Sequence, residues 1–259
     1  MNANSMTEIV LTEMEQAAID MVEQRPSPGK HCARNAFRHI KRAWGLQAVD
    51  PEMAAFRAIT AEEEAVTAIF HALQRQKYRG AEKLKRKNHL HKNALVPFCT
   101  AISGALAITE KLLKPELYLD KEEVPPRFRV RIDVSSIVPG RKFAFPEPPL
   151  NFNMRMNGTT YDFTDRLESI VARNNFSNIT KYLEERANRR NRLLYAAQEG
   201  APEVESLGNF LPIQRTNVLI LVILYLMIDP YPKKQSFVQQ SLQAFLKMLK
   251  LLPGEIEFE

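Results

Sequence analysis

The chain has 259 residues, 45% hydrophobic and 25% charged, a balance that suits a globular protein with a sizeable core. Nine glycines disfavour a sheet-rich fold full of tight turns, and two cysteines exclude a disulfide framework or a paired-cysteine zinc site. A net charge of +6 permits phosphate or acidic partners without proving either.

In chain order, Met1 to Gln24 is acidic and amphipathic and lacks the basic start and apolar run of a signal peptide. Ile9, Val10, Met14, Ala17, Ala18 and Met21 fall at helical spacing, which predicts a helix over Thr7–Gln24 with Thr7 as its cap. Arg25-Pro26-Ser27-Pro28-Gly29 breaks it, and a second helix is expected from Lys30 to Gly45. Asp50 and Pro51 open a third, the longest and most strongly patterned, which ends before Tyr78-Arg79-Gly80. A basic loop, Arg79 to Asn88, leads to a helix over His89–Leu113, kinked or delayed by Pro97 and ended by Pro115.

From Arg127 the period changes to two. Phe128, Val130, Ile132 and Val134 alternate with charged residues, and further alternating runs flank Asn157-Gly158, a strong hairpin signal. A small antiparallel β insertion over residues 127–163 is therefore expected within one helical domain, 1–259. Helical spacing returns at Asp165–Arg173, Asn178–Gln198, Gln214–Ile228 and Ser236–Leu252. The most apolar stretch, Val218–Ile228, falls short of the roughly 20 residues that a membrane span needs. It reads as a core helix of a cytoplasmic protein with no membrane partner. Cys32 and Cys99 read as buried thiols in a reducing compartment.

Four groups of residues carry chemistry. Arg34-Asn35-Ala36-Phe37-Arg38-His39 offers a cation for phosphate and an imidazole for proton transfer, although Arg34 and His39 sit about 140° apart on a helix. The plain alternative is a solvated basic face continued by Lys41 and Arg42. Glu62-Glu63-Glu64 interrupts an apolar helix, where a carboxylate turned inward needs a cationic partner. Lys85, Arg86 and Lys87 followed by His89, His91 and Lys92 suit phosphate better than metal, because His-x-His has no third ligand at a fitting spacing. Arg186, Arg189, Arg190, Asn191 and Arg192 run into Leu193-Leu194-Tyr195, a basic segment ending on an aromatic hydroxyl. No glycine loop for nucleotides, dinucleotide fingerprint or nucleophile elbow is present, which removes the commonest hydrolase and dehydrogenase classes.

Three of these features share an order. Ala61-Glu62-Glu63-Glu64-Ala65-Val66-Thr67-Ala68, then His89-x-His91-Lys92, then Arg190-Asn191-Arg192-Leu193-Leu194-Tyr195 resemble the AbiV-type abortive-infection proteins of the HEPN superfamily. The resemblance spans roughly Met53 to Ala197 and departs from the family at two points. Thr67 stands where a lysine is usual, and Tyr195 where the nuclease motif has histidine. It implies a mainly α, HEPN-like helical bundle, to which the periodicity read above adds a small antiparallel β insertion and C-terminal helices. It also implies an RNA-targeting protein of antiphage or stress defence, acting as a homodimer and without a cofactor. Family nucleases need no metal and leave a cyclic phosphate. Arg190, Asn191 and Tyr195, or Arg34 and His39, together with Glu63 and Glu64, are then the catalytic candidates. His89, His91, Lys92, Lys85, Arg86, Lys87, Arg186 and Arg189 are the RNA-binding ones. A non-catalytic binding module and an interaction protein using the β insertion are the alternatives.

Overall fold

The computed structural model describes residues 9–109, 114–136, 138–151, 155–156, 159–160 and 207–251. The expected helices over Asp165–Arg173 and Asn178–Gln198 lie outside them. The protein is mainly helical with a small three-stranded antiparallel sheet. It divides into two compact units, residues 1–71 with 184–225 and residues 72–183 with 226–259.

In the first unit, α1 covers Glu13–Glu23 and starts at Thr12, not at Thr7 as the sequence suggested. The reason is a capping box: the Thr12 side chain accepts from the Glu15 amide, and the Glu15 carboxylate accepts from the Thr12 amide at 2.7 Å. Helix α2 (Gly29–Leu46) contacts α1. A Cβ added at Gly29 would come within 2.9 Å of the Tyr225 ring, so the glycine allows a close approach there. Helix α3 (Pro51–Arg75) opens as expected, with the Asp50 carboxylate accepting from the Met53 amide at 2.8 Å.

Alanines dominate the buried faces of these helices. Ala33, Ala36 and Ala43 on α2 and Ala54, Ala58, Ala61, Ala65 and Ala68 on α3 are all fully enclosed. Side chains this small let helix axes come close, near the short end of the usual 8–10 Å. Helix α6 (Phe210–Ile228) adds Leu211, Val218, Leu221 and Val222 to the core of the first unit. By length and composition α6 is apolar enough to cross a membrane, with a mean hydropathy of 1.8, and 56% of it is buried within the protein.

The second unit holds a 3-10 turn at Ala81–Lys83, α4 (His89–Asn93), α5 (Leu95–Thr109) and α7 (Ser236–Leu251). The single helix expected from His89 is two, parted at Ala94, because Pro97 belongs to the first turn of a new helix. Gly80 before the 3-10 turn has φ +91°, and a Cβ there would lie 2.7 Å from Leu246 Cδ1. Gln235, with no exposure, ties three segments together. Its Oε1 accepts from the Leu150 amide at 2.7 Å, its Nε2 donates to the Met227 carbonyl at 2.7 Å, and its own amide donates to the Tyr78 hydroxyl at 3.0 Å. The Phe98 and Phe245 rings meet at 5.1 Å.

The sheet of this unit has the order β1–β2–β3, with β1 at Lys114–Asp120, β2 at Arg127–Asp133 and β3 at Phe143–Ala144. Strand β1 lies before the expected start of the β segment at Arg127. Pro115, expected to end a helix, lies in an edge strand, the place in a sheet where proline is ordinarily tolerated. Register pairs Glu116 with Arg131, Tyr118 with Arg129 and Asp120 with Arg127. Phe128 and Val130 are buried while the arginines of β2 take the opposite face, so the period of two is as expected. On either side of Asn157-Gly158, β4 (Arg155–Met156) pairs antiparallel with β5 (Thr159–Thr160). Cys32 and Cys99 are thiols outside any disulfide and are half-buried, more exposed than the core positions expected for them.

Candidate anion-binding site

Helix α2 carries Lys30, Arg34, Arg38, Lys41 and Arg42 and no acidic residue. At 100° per residue, its exposed His31, Arg34, Arg38, Lys41 and Arg42 fall within an arc of about 100°, opposite the buried alanines. The sequence thus builds one basic face, and its two ends differ.

At the N-terminal end the charge is answered. The Arg34 guanidinium forks onto Glu23 of α1, with Nε 2.7 Å from Oε1 and Nη2 2.5 Å from Oε2, and Lys30 adds a contact at 3.6 Å. Arg34's hydrogen bonds hold the Glu23 carboxyl below its ordinary range, and Glu23 in turn raises Arg34. Arg34, the cation of the Arg34–His39 string, is therefore engaged by a carboxylate.

Toward the C-terminal end, Arg38 and Arg42 meet no carboxylate among the described residues. His39 is half-buried, and burial pushes its pKa down; the positive charges of Arg57 on α3 and of Arg42 and Arg38 on α2 push it further the same way. The imidazole is neutral at pH 7 as a result. Among the described residues, no carboxylate pairs with Arg38, Arg42 or Arg57. His39 Nδ1 and Arg57 Nε are both buried with no hydrogen-bond partner. The three guanidinium groups set up a positive potential around His39, and an oxyanion at the exposed Arg38 and Arg42 would relieve it in charge.

The other sequence candidates are placed as follows. Glu62 and Glu63 are buried at 1% and 4% exposure, and Glu64 is half-exposed. Glu62 accepts from the Asn217 side chain of α6 at 3.2 Å. The Thr67 hydroxyl, where the family has lysine, donates to the Glu63 carbonyl at 2.7 Å and so closes on its own helix. Asn88 caps α4 by accepting from the His91 amide at 3.1 Å. His91 Nδ1 accepts from the Lys85 amide at 3.2 Å, which leaves Nε2 to carry the proton of the neutral ring. Lys92 is nearly buried, while Lys85, Arg86 and Lys87 are exposed and His89 is half-exposed. Arg186, Arg189, Arg190, Asn191 and Tyr195 lie outside the described residues. Among the described residues, no group of three His, Cys, Asp or Glu side chains is placed to hold a metal.

The arginines at His39 had a partial signal in the sequence. Arg34, Arg38 and Arg42 recur at intervals of four in an acid-free helix. Arg57 had none, since its place beside His39 comes from tertiary packing. The chain matches no protein-family profile, no curated protein and no solved structure.

Proposed function

We propose that this is an RNA-targeting, HEPN-like protein of antiphage or stress defence that grips the RNA backbone through the C-terminal half of α2. The observation that carries this reading is the set of three arginines, Arg38, Arg42 and Arg57, around a neutral His39 with no described carboxylate among them. A phosphodiester complements such a cluster, since it supplies one negative charge with two acceptor oxygens.

The finer reading is a metal-independent endoribonuclease acting as a homodimer. A neutral imidazole can take the proton of a ribose 2′-hydroxyl as the oxygen attacks the adjacent phosphorus. The arginines offset the charge of the phosphorane, the 5′-oxygen leaves with a proton from water, the imidazolium returns its own proton to the hydroxide so formed, and a 2′,3′-cyclic phosphate remains. One observation favours a second reading, a binding module without catalysis: Arg34, which the family string would set to work with His39, is already held by Glu23.

Binding to a short single-stranded RNA, titrated at several salt concentrations, tests the shared part of both readings. Arg38→Gln, Arg42→Gln and Arg57→Gln should each weaken binding and lower the slope of log affinity against log salt by up to about one. Unchanged affinity and slope in all three variants would contradict the site.

A further inference from the structure

The sheet of the second unit has a face that the proposed function does not use. Alternation along β2 turns Phe128 and Val130 inward and Arg129 and Arg131 outward. Three aromatic rings gather on the outward side. Tyr118 of β1 and Phe145, just past β3, meet edge to face, with centroids 6.5 Å apart at 74°. Phe143 of β3 lies 6.4 Å from Phe145 at 60°. The Arg131 guanidinium spans the gap, 4.7 Å from the Phe143 centroid and 5.6 Å from that of Tyr118. It is fixed there by Glu116, whose Oε2 accepts from Arg131 Nε at 2.6 Å.

This arrangement is held in place and yet left open. Phe145 is 52% exposed and Tyr118 and Phe143 are half-exposed, although aromatic rings on a sheet ordinarily gain by being covered. The charges around the rings are arranged unevenly. Arg129 is engaged by Asp120, Glu123 and Glu147, and Arg131 by Glu116. Arg141 and Lys142, at the start of the Phe143–Phe145 strip, are exposed and meet no carboxylate among the described residues. Arg141 Nε donates to the Phe143 carbonyl at 3.1 Å, and Lys142 Nζ lies 5.3 Å from the Phe143 ring.

We infer that the outer face of the β1–β2–β3 sheet is a stacking platform for single-stranded RNA, with bases on Phe145 and Tyr118 and a phosphate between Arg141 and Lys142. Unpaired bases present flat π-faces that stack on any exposed ring regardless of sequence. Phosphates recur at each nucleotide and call for free cations beside the rings, which this strip has at one end. A proline-rich peptide would also stack on the rings but would make no use of Arg141 and Lys142, so charge complementarity favours the nucleic acid. The platform rests on the RNA reading above for its ligand, but on none of the residues of the α2 site.

The test is binding of the full-length protein to a fluorescent oligouridine of about a dozen nucleotides and to an RNA duplex of similar length. Wild type, Phe145→Ala, Phe145→Trp, Arg141→Gln/Lys142→Gln and Arg57→Gln are compared. Phe145→Ala should lose about tenfold to hundredfold in affinity for the single strand, with an unchanged salt slope. Phe145→Trp should keep that affinity, and duplex binding should be indifferent to position 145. Arg141→Gln/Lys142→Gln should weaken single-strand binding and reduce the salt slope. Single-strand binding that survives Phe145→Ala but falls in Arg57→Gln would overturn the platform and leave the α2 site standing. Failure of the wild type to bind RNA would overturn both. Capture of a proline-rich peptide by wild type but not by Phe145→Ala, without RNA binding, would assign the face to protein instead.

Discussion

Glu15 is a carboxylate at 3% exposure whose two oxygens are fully occupied, so replacing it by glutamine gives a sharp prediction. Arg215 of α6 grips it from Nε at 2.6 Å and from Nη2 at 2.5 Å, while the Thr12 amide and hydroxyl donate to Oε2 at 2.7 and 3.0 Å. Burial alone would raise the Glu15 pKa. The Arg215 and Thr12 hydrogen bonds and the Arg215 charge outweigh it, and the carboxyl is held below its ordinary 4.5. Removing one partner from a buried ion pair costs about 3–5 kcal/mol, because the other charge stays behind. Arg215 keeps 19% exposure and a second acceptor in the Val10 carbonyl, which places Glu15→Gln near the lower end, about 3 kcal/mol. Urea unfolding gives the readout. Trp44, the single tryptophan, has the Arg215 guanidinium 5.3 Å from its ring centre and reports on this corner of the unit. Arg215→Met should cost a comparable amount. The double variant should lose much less than the sum, with a coupling of about 2 kcal/mol or more. The folded carboxyl titrates below the unfolded one, so its contribution is complete above about pH 4.5 and is lost as pH falls through the lower folded value. A Glu15→Gln loss under about 1 kcal/mol, or additive single changes, would refute the reasoning.

Two further outcomes follow from the same physics. Gln235→Leu should destabilise the second unit by about 2–4 kcal/mol, since it strands the Leu150 amide and the Met227 carbonyl in a dry site. Hydrogen exchange should find the Leu150 amide among those that lose protection, and full retention would contradict the assignment. His39 is held below its ordinary 6.5, so the unfolded chain binds the proton more readily and stability falls as pH drops through the folded value. His39→Gln should flatten the change in urea midpoint between pH 7.5 and pH 5.5, and identical pH profiles for the two proteins would contradict the placement of the arginines.

Local chemistry carried the parts of the fold that could be read from the sequence. Asp50 and Pro51 announced α3, and the alternation through Phe128, Val130 and Ile132 announced β2, because capping and pleating act over a few residues. The start of α1 went to Thr7 because apolar spacing extends that far, whereas the Thr12-x-x-Glu15 capping box decides the boundary. Strand β1 had its own signal in the alternation of Leu117 and Leu119 with Glu116, Tyr118 and Asp120. Pro115 masked it, because a proline stops a helix and also marks a sheet edge. At the candidate site His39 was legible as a proton carrier, with Arg38 and Arg42 as cations on the same helix, yet the partners that come from other helices were not. Arg57 comes from another helix, and the Glu23 carboxylate that occupies Arg34 comes from a third. Those pairings depend on packing, which no single stretch of sequence encodes.

The measurement that bears most directly on the function is incubation of the purified protein with end-labelled single-stranded RNA in the presence of a chelator, beside His39→Gln and Arg57→Gln. The expected result is chelator-resistant cleavage that leaves 2′,3′-cyclic phosphate ends, abolished by His39→Gln and strongly reduced by Arg57→Gln. Cleavage that survives both substitutions, or RNA left intact at every protein concentration by folded wild type, would contradict the assignment of catalysis to the α2 site.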